Sequence, residues 1–306
     1  MMGRLSRECA PPPASAAAAR LAAGHGTRAV TPDQYCQQKA AASGSSFYYS
    51  FLFLPAERRR AITALYAFCR EVDDVVDETL EPQLAATKLA WWRAEVANLF
   101  SGNPQHPVTK ALAPFKEKFS IQKNRLDDII DGMEMDLTQS RYLDWPGLEK
   151  YCYRVAGAVG LLAAGIFGYR DARTLDYARA LGIAFQLTNI IRDVGEDARK
   201  NRIYLPMADL KQFNVPAADI LNAKQTPEFG KLMDFEAARA RQHYEQAMQS
   251  LPDEDRRAQR PGLIMAAIYR TLLDEIERDG WRVLERKTSL TPLRKFWIAW
   301  RTWVTA

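Results

Sequence analysis

The chain is poor in the residues that most often bind metals or build nucleophilic triads. Its 306 residues include four cysteines, Cys9, Cys36, Cys69 and Cys152, and no two form a CxxC pair. Neither a zinc site nor a disulfide framework is indicated, and reduced intracellular thiols are the expectation. The three histidines, His25, His106 and His243, are scattered, which argues against a histidine metal centre and a Ser-His-Asp triad. No apolar run approaches the roughly 20 residues needed to span a bilayer. Charge of one sign is scarce as well: 42 basic and 37 acidic residues leave a formal net charge of +5. With no long basic run, a nucleic-acid partner is not expected. The small surplus suits an anionic substrate or loose contact with an anionic membrane surface. No stretch of convincing length alternates with the period of a strand, and no repeat of fixed period is present. No GxGxxG motif follows a strand pattern, so no Rossmann dinucleotide site is indicated.

What is present is helical periodicity. Residues 1–30 are rich in Ala, Pro and Arg and lack the apolar core of a secretory signal, so they read as a disordered leader, with a transit peptide as the alternative. Thr31, Pro32 and Gln34 fit an N-cap, a first-turn proline and a capping-box partner. Pro55 opens a helix to about Glu78, with Ile62, Leu65, Cys69, Val72 and Val76 at spacings of 3 or 4. Further helical patterns cover about 83–100, 106–118, 122–138, 146–167, 171–197, 230–249 and 261–285. The breaks fall at Gly102-Asn103-Pro104, Asp144-Trp145-Pro146, Gly168 and Pro206. The reading is an all-α, single-domain bundle over residues 31–285. Residues 286–306 form a basic, aromatic tail, suited either to a membrane interface or to a packed C-terminal helix.

Two acidic runs stand out. In Asp73-Asp74-Val75-Val76-Asp77, the first and last aspartates are four apart and share a helix face. Like charges at that spacing oppose each other, and a cation between them removes the cost. Mg²⁺ takes oxygen ligands, commonly one or two carboxylates plus substrate phosphates and water. The second run, residues 189–197, places Asn189, Asp193 and Asp197 at i, i+4 and i+8 on one face of a helix flanked by apolar residues. A single DxxxD is ordinarily a solvated helix face. Two such runs in largely apolar helices point instead to paired Mg²⁺–diphosphate chemistry. Arg70 and Arg192 adjoin the runs, and Arg199, Lys200 and Arg202 follow the second; guanidinium forks suit diphosphate. The plainer reading of Arg70 is an intrahelical ion pair with Asp73 or Asp74.

At these residues the chain resembles the squalene/phytoene synthase family. The likeness covers about residues 31–285 and is carried by FLPAERRRAITALYAFCREVDDVVDE at 53–78, YCYRVAGAVG at 151–160 and FQLTNIIRDVGEDARKNRIYLP at 185–206. It implies an all-α isoprenoid-synthase fold around a central apolar cavity with three Mg²⁺ ions, for which Mn²⁺ can substitute. Carried over, Asp73 and Asp77 would be ligands of the first motif, and Asn189, Asp193 and Asp197 ligands of the second. The four aspartates with Tyr151 make up the implied catalytic set. Arg70, Gln186 and Arg192 match diphosphate-contacting positions, and Tyr66, Tyr151 and Tyr269 match cavity tyrosines. Ser43-Gly44-Ser45-Ser46 matches a substrate-binding stretch, so Ser43 and Ser46 join the substrate-binding set; some relatives carry His in place of Ser43 and Lys in place of Ser45.

Within the family, SGSSFYYSFLFLP with EVDDVVDE looks most like bacterial presqualene diphosphate synthases of hopanoid biosynthesis. That likeness implies head-to-head joining of two farnesyl diphosphates, with no NADPH and with downstream hopanoid-pathway enzymes as partners. It also implies a cytoplasmic protein in peripheral contact with the inner face of the membrane. The alternatives are a phytoene synthase using geranylgeranyl diphosphate, an NADPH-dependent squalene synthase, a non-catalytic assembly factor on the same fold, and a purely structural helical partner protein whose acids only decorate the surface.

Overall fold

Helix starts in this chain are set largely by proline, whose fixed φ suits the first turn and whose missing N–H is no loss there. The computed structural model describes residues 30–42, 50–51, 53–79 and 81–305. The helices are α1 (Pro32–Ala42), α2 (Ala56–Glu78), α3 (Pro82–Ser101), α4 (Pro107–Leu112), α5 (Lys123–Thr138), α6 (Trp145–Cys152) and α7 (Ala158–Phe167). They continue with α8 (Arg173–Arg199), α9 (Met207–Gln212), α10 (Ala217–Leu221), α11 (Pro227–Ser250), α12 (Asp253–Arg256), α13 (Arg260–Arg278) and α14 (Pro292–Thr305). Among the described residues the one extended pairing is an isolated bridge between Arg141 and Ile203. The all-α expectation is met. The leader, apart from Val30, and residues 43–49, including Ser43 and Ser46, lie outside the described residues.

Several expected boundaries move. The pattern at 106–118 ends its α-helix at Leu112 and tightens to a 3₁₀ turn at Ala113–Phe115, where Pro114 removes a backbone donor. The 146–167 pattern is two helices joined by a π turn at Tyr153–Gly157. The 261–285 pattern stops at Arg278, because Gly280 (φ 69°) and Trp281 (φ 57°) turn the chain left-handed. The Trp281 indole donates to Asp234 Oδ1 at 2.7 Å and anchors that turn. The three short helices α9, α10 and α12 carry too few residues to show a period. The basic tail is the helix α14, packed on α13.

Two apolar cores form. One gathers buried residues of α2, α3, α4, α5 and α7, such as Leu65, Phe68, Leu89, Leu126 and Ile166. The other gathers residues of α6, α8, α11 and α13, such as Leu148, Leu181, Leu232 and Ile268. At about 1.5 Å per residue, the 27-residue α8 is roughly 40 Å long and packs against α11, α7 and α13. Two of the close approaches to α8 depend on its own glycines. A Cβ at Gly182 would lie 2.4 Å from the Ala156 carbonyl oxygen, so the π turn rests directly on the α8 backbone. A Cβ at Gly195 would lie 2.5 Å from the Val283 carbonyl oxygen, so the turn after α13 crosses α8 inside its second acidic run.

Candidate active site

The first acidic run ends α2. Arg70 ion-pairs with Asp73 and, at 2.5 Å, with Asp74. Lys39 of α1 also reaches Asp74 at 2.7 Å and Glu71 at 3.1 Å. Asp74 is thus committed to α1 and Arg70, while Asp73 and Asp77 share the other face. The plainer reading of Arg70 holds as geometry, but the arginine and Asp73 are about one-third exposed, so the pair adds little stability. Burial, opposed by Arg70 and reinforced by Asp77 and Asp74, pushes the Asp73 carboxyl up to about 6. Asp77 itself is exposed, so the run is only partly buried.

The second run lies mid-to-late in α8. Arg192 forks onto Asp193, Nε to Oδ1 at 2.8 Å and Nη2 to Oδ2 at 2.5 Å. Lys287, delivered by the turn that Gly195 admits, reaches Asp193 at 3.1 Å and Glu196 at 2.7 Å. Burial alone would raise Asp193, but Arg192 and Lys287 hold it below the usual carboxylate range. Asp197 has no such partner: burial and the neighbouring Asp193 push it up to about 7. The Asn189 side-chain oxygen is buried and accepts no hydrogen bond, while its amide donates to Gln186 at 3.5 Å.

Between the two cores runs a cavity of about 190 Å³. From α8 it is lined by Tyr177, Leu181, Phe185, Gln186 and Asn189 among others, a span of about 18 Å along the helix. Tyr66 and Cys69 of α2 and Tyr269 of α13 flank the Asn189 end. Phe51 and Phe167, with ring centroids 6.5 Å apart, line the wall with Tyr177. Of the substrate-binding set, Tyr66, Gln186 and Tyr269 line this cavity, whereas Arg70 and Arg192 sit with the carboxylates.

Tyr151 is not among the residues lining this cavity and sits instead beside the acidic runs, on Asp136. It ends α6 just before the π turn and donates to Asp136 Oδ2 at 2.9 Å. Tyr204 donates to Asp136 Oδ1 at 2.8 Å, and Arg202 reaches the Asp136 backbone oxygen at 3.2 Å. Burial raises Asp136 to about 6 despite the two phenols, with the charge of Asp77 adding to the rise, and Asp136 in turn adds to the rise at Asp73. Asp136, Tyr204 and Lys287 were not marked as site residues by the sequence. Asp136 falls in an acid-rich helix with many equivalent aspartates, and Lys287 is one of several bases in the tail.

These residues fit a divalent cation. Asn189 offers an unused neutral oxygen, and Asp73 and Asp197 carry charge that burial penalises and a cation would offset. Among the described residues, no three acidic, His or Cys side chains already converge as a cage. That matches a metal held by one or two carboxylates plus the phosphates of a substrate.

A helical bundle around an apolar cavity, with acidic runs from two helices at one end, defines an isoprenoid-synthase fold. The model of the squalene/phytoene synthase family matches residues 40–294, and the chain belongs to that family. Its members are prenyltransferases that join prenyl diphosphates head to head and generally depend on a divalent metal. A phytoene synthase of Arthrospira platensis is 36% identical over 284 residues, 88% of this chain and 92% of its own. A dehydrosqualene synthase solved with a ligand is 28% identical with a TM-score of 0.80, covering 90% of this chain and 96% of its own. A squalene synthase, HpnC, of Alicyclobacillus acidocaldarius is 27% identical with a TM-score of 0.74, covering 82% and 94%.

Proposed function

We propose that this protein joins two farnesyl diphosphates into presqualene diphosphate. The observation that carries the reading is one apolar cavity lined by Cys69, one helical turn before Asp73, and by Asn189, one turn before Asp193, and walled by Phe51 and Phe167. Mg²⁺ held by Asp73, Asp77, Asn189, Asp193 and Asp197 would supply charge to offset a departing diphosphate. Arg70 and Arg192 orient that diphosphate through their guanidinium forks. Its C1–O bond breaks and the electron pair leaves with the diphosphate. The cavity walls exclude water from the allylic cation, and Tyr66 and Tyr269, which line the cavity, would offer it aromatic faces. The C2–C3 double bond of the second farnesyl group attacks C1 of the first, leaving a cation at C3. Loss of a proton from C1 closes the cyclopropane. Burial, with Asp136 beside them, holds the Tyr151 and Tyr204 phenols well above their ordinary range, so they keep their protons and orient rather than act as bases. The departed diphosphate is the proton acceptor in this reading.

A second reading, phytoene formation from geranylgeranyl diphosphate, is favoured by the name of the Arthrospira platensis relative. The deciding experiment incubates the protein with each diphosphate and Mg²⁺, with and without NADPH, and identifies products by mass spectrometry. Presqualene diphosphate should form from farnesyl diphosphate in both conditions. Asp73→Ala and Asp193→Ala should each lose most turnover with helical circular dichroism intact. Dominant phytoene would move the protein to the second reading, and NADPH-dependent squalene would add a reduction to it.

A further inference from the structure

The metal set read for the first acidic run takes Asp73 and Asp77 and leaves Asp74 out, yet Asp74 accepts from two cations. Its Oδ1 accepts from Arg70 Nη2 at 2.5 Å, and its Oδ2 pairs with Lys39 Nζ at 2.7 Å. The other arm of the same guanidinium, Arg70 Nη1, goes to Asp73. A line of alternating charge thus runs from Lys39 on α1 through Asp74 and Arg70 to Asp73. The Lys39 side chain is 27% exposed and that of Asp74 16%, so solvent screens this line only in part.

Lys39 is presented by a helix that does not depend on it. α1 packs on α2 and α4 and buries Cys36. The Tyr35 hydroxyl donates to Glu71 Oε1 at 2.6 Å, and Asp33 pairs with Arg60 at 2.8 Å. The Tyr35 ring also meets the His106 ring edge-on at 5.5 Å. These contacts keep α1 docked when the Lys39 charge is removed. What the charge decides is a competition at Asp74. A carboxylate with both oxygens open takes a guanidinium by two parallel bonds, which is stronger than one. Lys39 on Oδ2 denies Arg70 that second bond, so Arg70 keeps Nη1 on the side of the site. Once a divalent cation takes Asp73, Nη1 loses its partner and is the arm left to meet a phosphate oxygen. Without Lys39, Asp74 would take both arms and draw the guanidinium away.

We propose that Lys39 is a positioning residue: by occupying Asp74 Oδ2 it keeps the Arg70 guanidinium available to the substrate diphosphate. Lys39 lies outside the motifs at 53–78, 151–160 and 185–206. The proposal rests on the reading of Arg70 as a diphosphate ligand and is independent of the length of the prenyl chain.

The test is calorimetric titration of the full chain with inorganic diphosphate at saturating Mg²⁺. Lys39→Met should weaken diphosphate binding about threefold or more while keeping helical circular dichroism. Lys39→Arg, which can still occupy Oδ2, should bind as the parent does. Adding Asp74→Asn to Lys39→Met should restore the affinity, because an amide no longer draws the guanidinium. In an Arg70→Gln background, Lys39→Met should cause no further loss, since its effect passes through Arg70. The proposal is overturned if Lys39→Met binds diphosphate as tightly as the parent. It is overturned if the loss persists in Arg70→Gln, which would make Lys39 a phosphate ligand itself. It is also overturned if Asp74→Asn restores nothing, which would reduce Lys39 to a clamp on α1. A parent that binds no diphosphate with Mg²⁺ would remove the diphosphate reading of the site, and this proposal with it.

Discussion

Near neutral pH the Asp197 carboxyl lies close to its midpoint, raised from 3.8 to about 7 by burial and by Asp193. Between those two values the folded protein holds a proton that the unfolded chain has released. The contribution of Asp197 to stability therefore falls as pH rises from about 4 and stops changing above about 7. Asp197→Asn has no such proton to lose. In chelator it should be more stable than the parent, by a gap that opens above about pH 4 and levels off beyond about pH 7. Denaturant titration across that range measures the gap, and a gap that instead narrows with pH would contradict the assignment. Mg²⁺ with inorganic diphosphate should shrink it at high pH by stabilising the parent. Asp136 gives a second prediction at this scale. Its carboxylate accepts from both Tyr151 and Tyr204, and charge-assisted bonds are worth about 1.5–3 kcal/mol. Asp136→Asn should cut kcat roughly 10- to 100-fold by loosening Tyr151, with a smaller change in KM, as steady-state kinetics would show. A pure rise in KM would make Asp136 a binding residue instead.

The elements that carry the site are held by close backbone contact as much as by side chains. Gly195, between Asp193 and Asp197, lets the 3₁₀ turn at Arg282–Leu284 lie on α8. Gly195→Ala places a methyl 2.5 Å from the Val283 carbonyl oxygen, so the turn must shift and Lys287 loses its reach to Asp193. The expected cost is about 1–3 kcal/mol, visible as a lower melting temperature. If the melting temperature is unchanged, the turn yields freely and does not fix Lys287. Periodicity located α2, α5 and most of α8 in the sequence, because their buried residues recur every 3 or 4 positions. It could not mark the π turn at Tyr153–Gly157, where the spacing changes within one apolar run, nor the stop at Gly280 and Trp281, which long-range contact with Asp234 fixes.

Across the whole molecule the cavity occupies the seam between two cores, one carrying α2 and the other α8. Chain-length preference belongs to this scale, since residues distant in sequence close the space. Phe51→Ala should open the wall it forms with Phe167 and raise turnover of geranylgeranyl diphosphate relative to farnesyl diphosphate. Removing a buried phenylalanine also costs about 3–5 kcal/mol, so the competition assay should be run well below the melting temperature. An unchanged ratio would place the length determinant elsewhere.

The sequence by itself determined the all-α class and the two acidic runs, because i, i+4 spacing and helical periodicity are local properties of a chain, and its motifs at 53–78, 151–160 and 185–206 carried the family resemblance. It also marked Tyr66, Gln186 and Tyr269, which line the cavity. It could not determine that Tyr151 bonds to Asp136, that Asp77 is exposed while Asp197 is not, or that Lys287 returns to Asp193 from 94 positions along the chain. Those follow from which helices meet and from the depth at which each carboxylate comes to rest. Burial and charge pairing depend on neighbours that only the packed tertiary structure assembles.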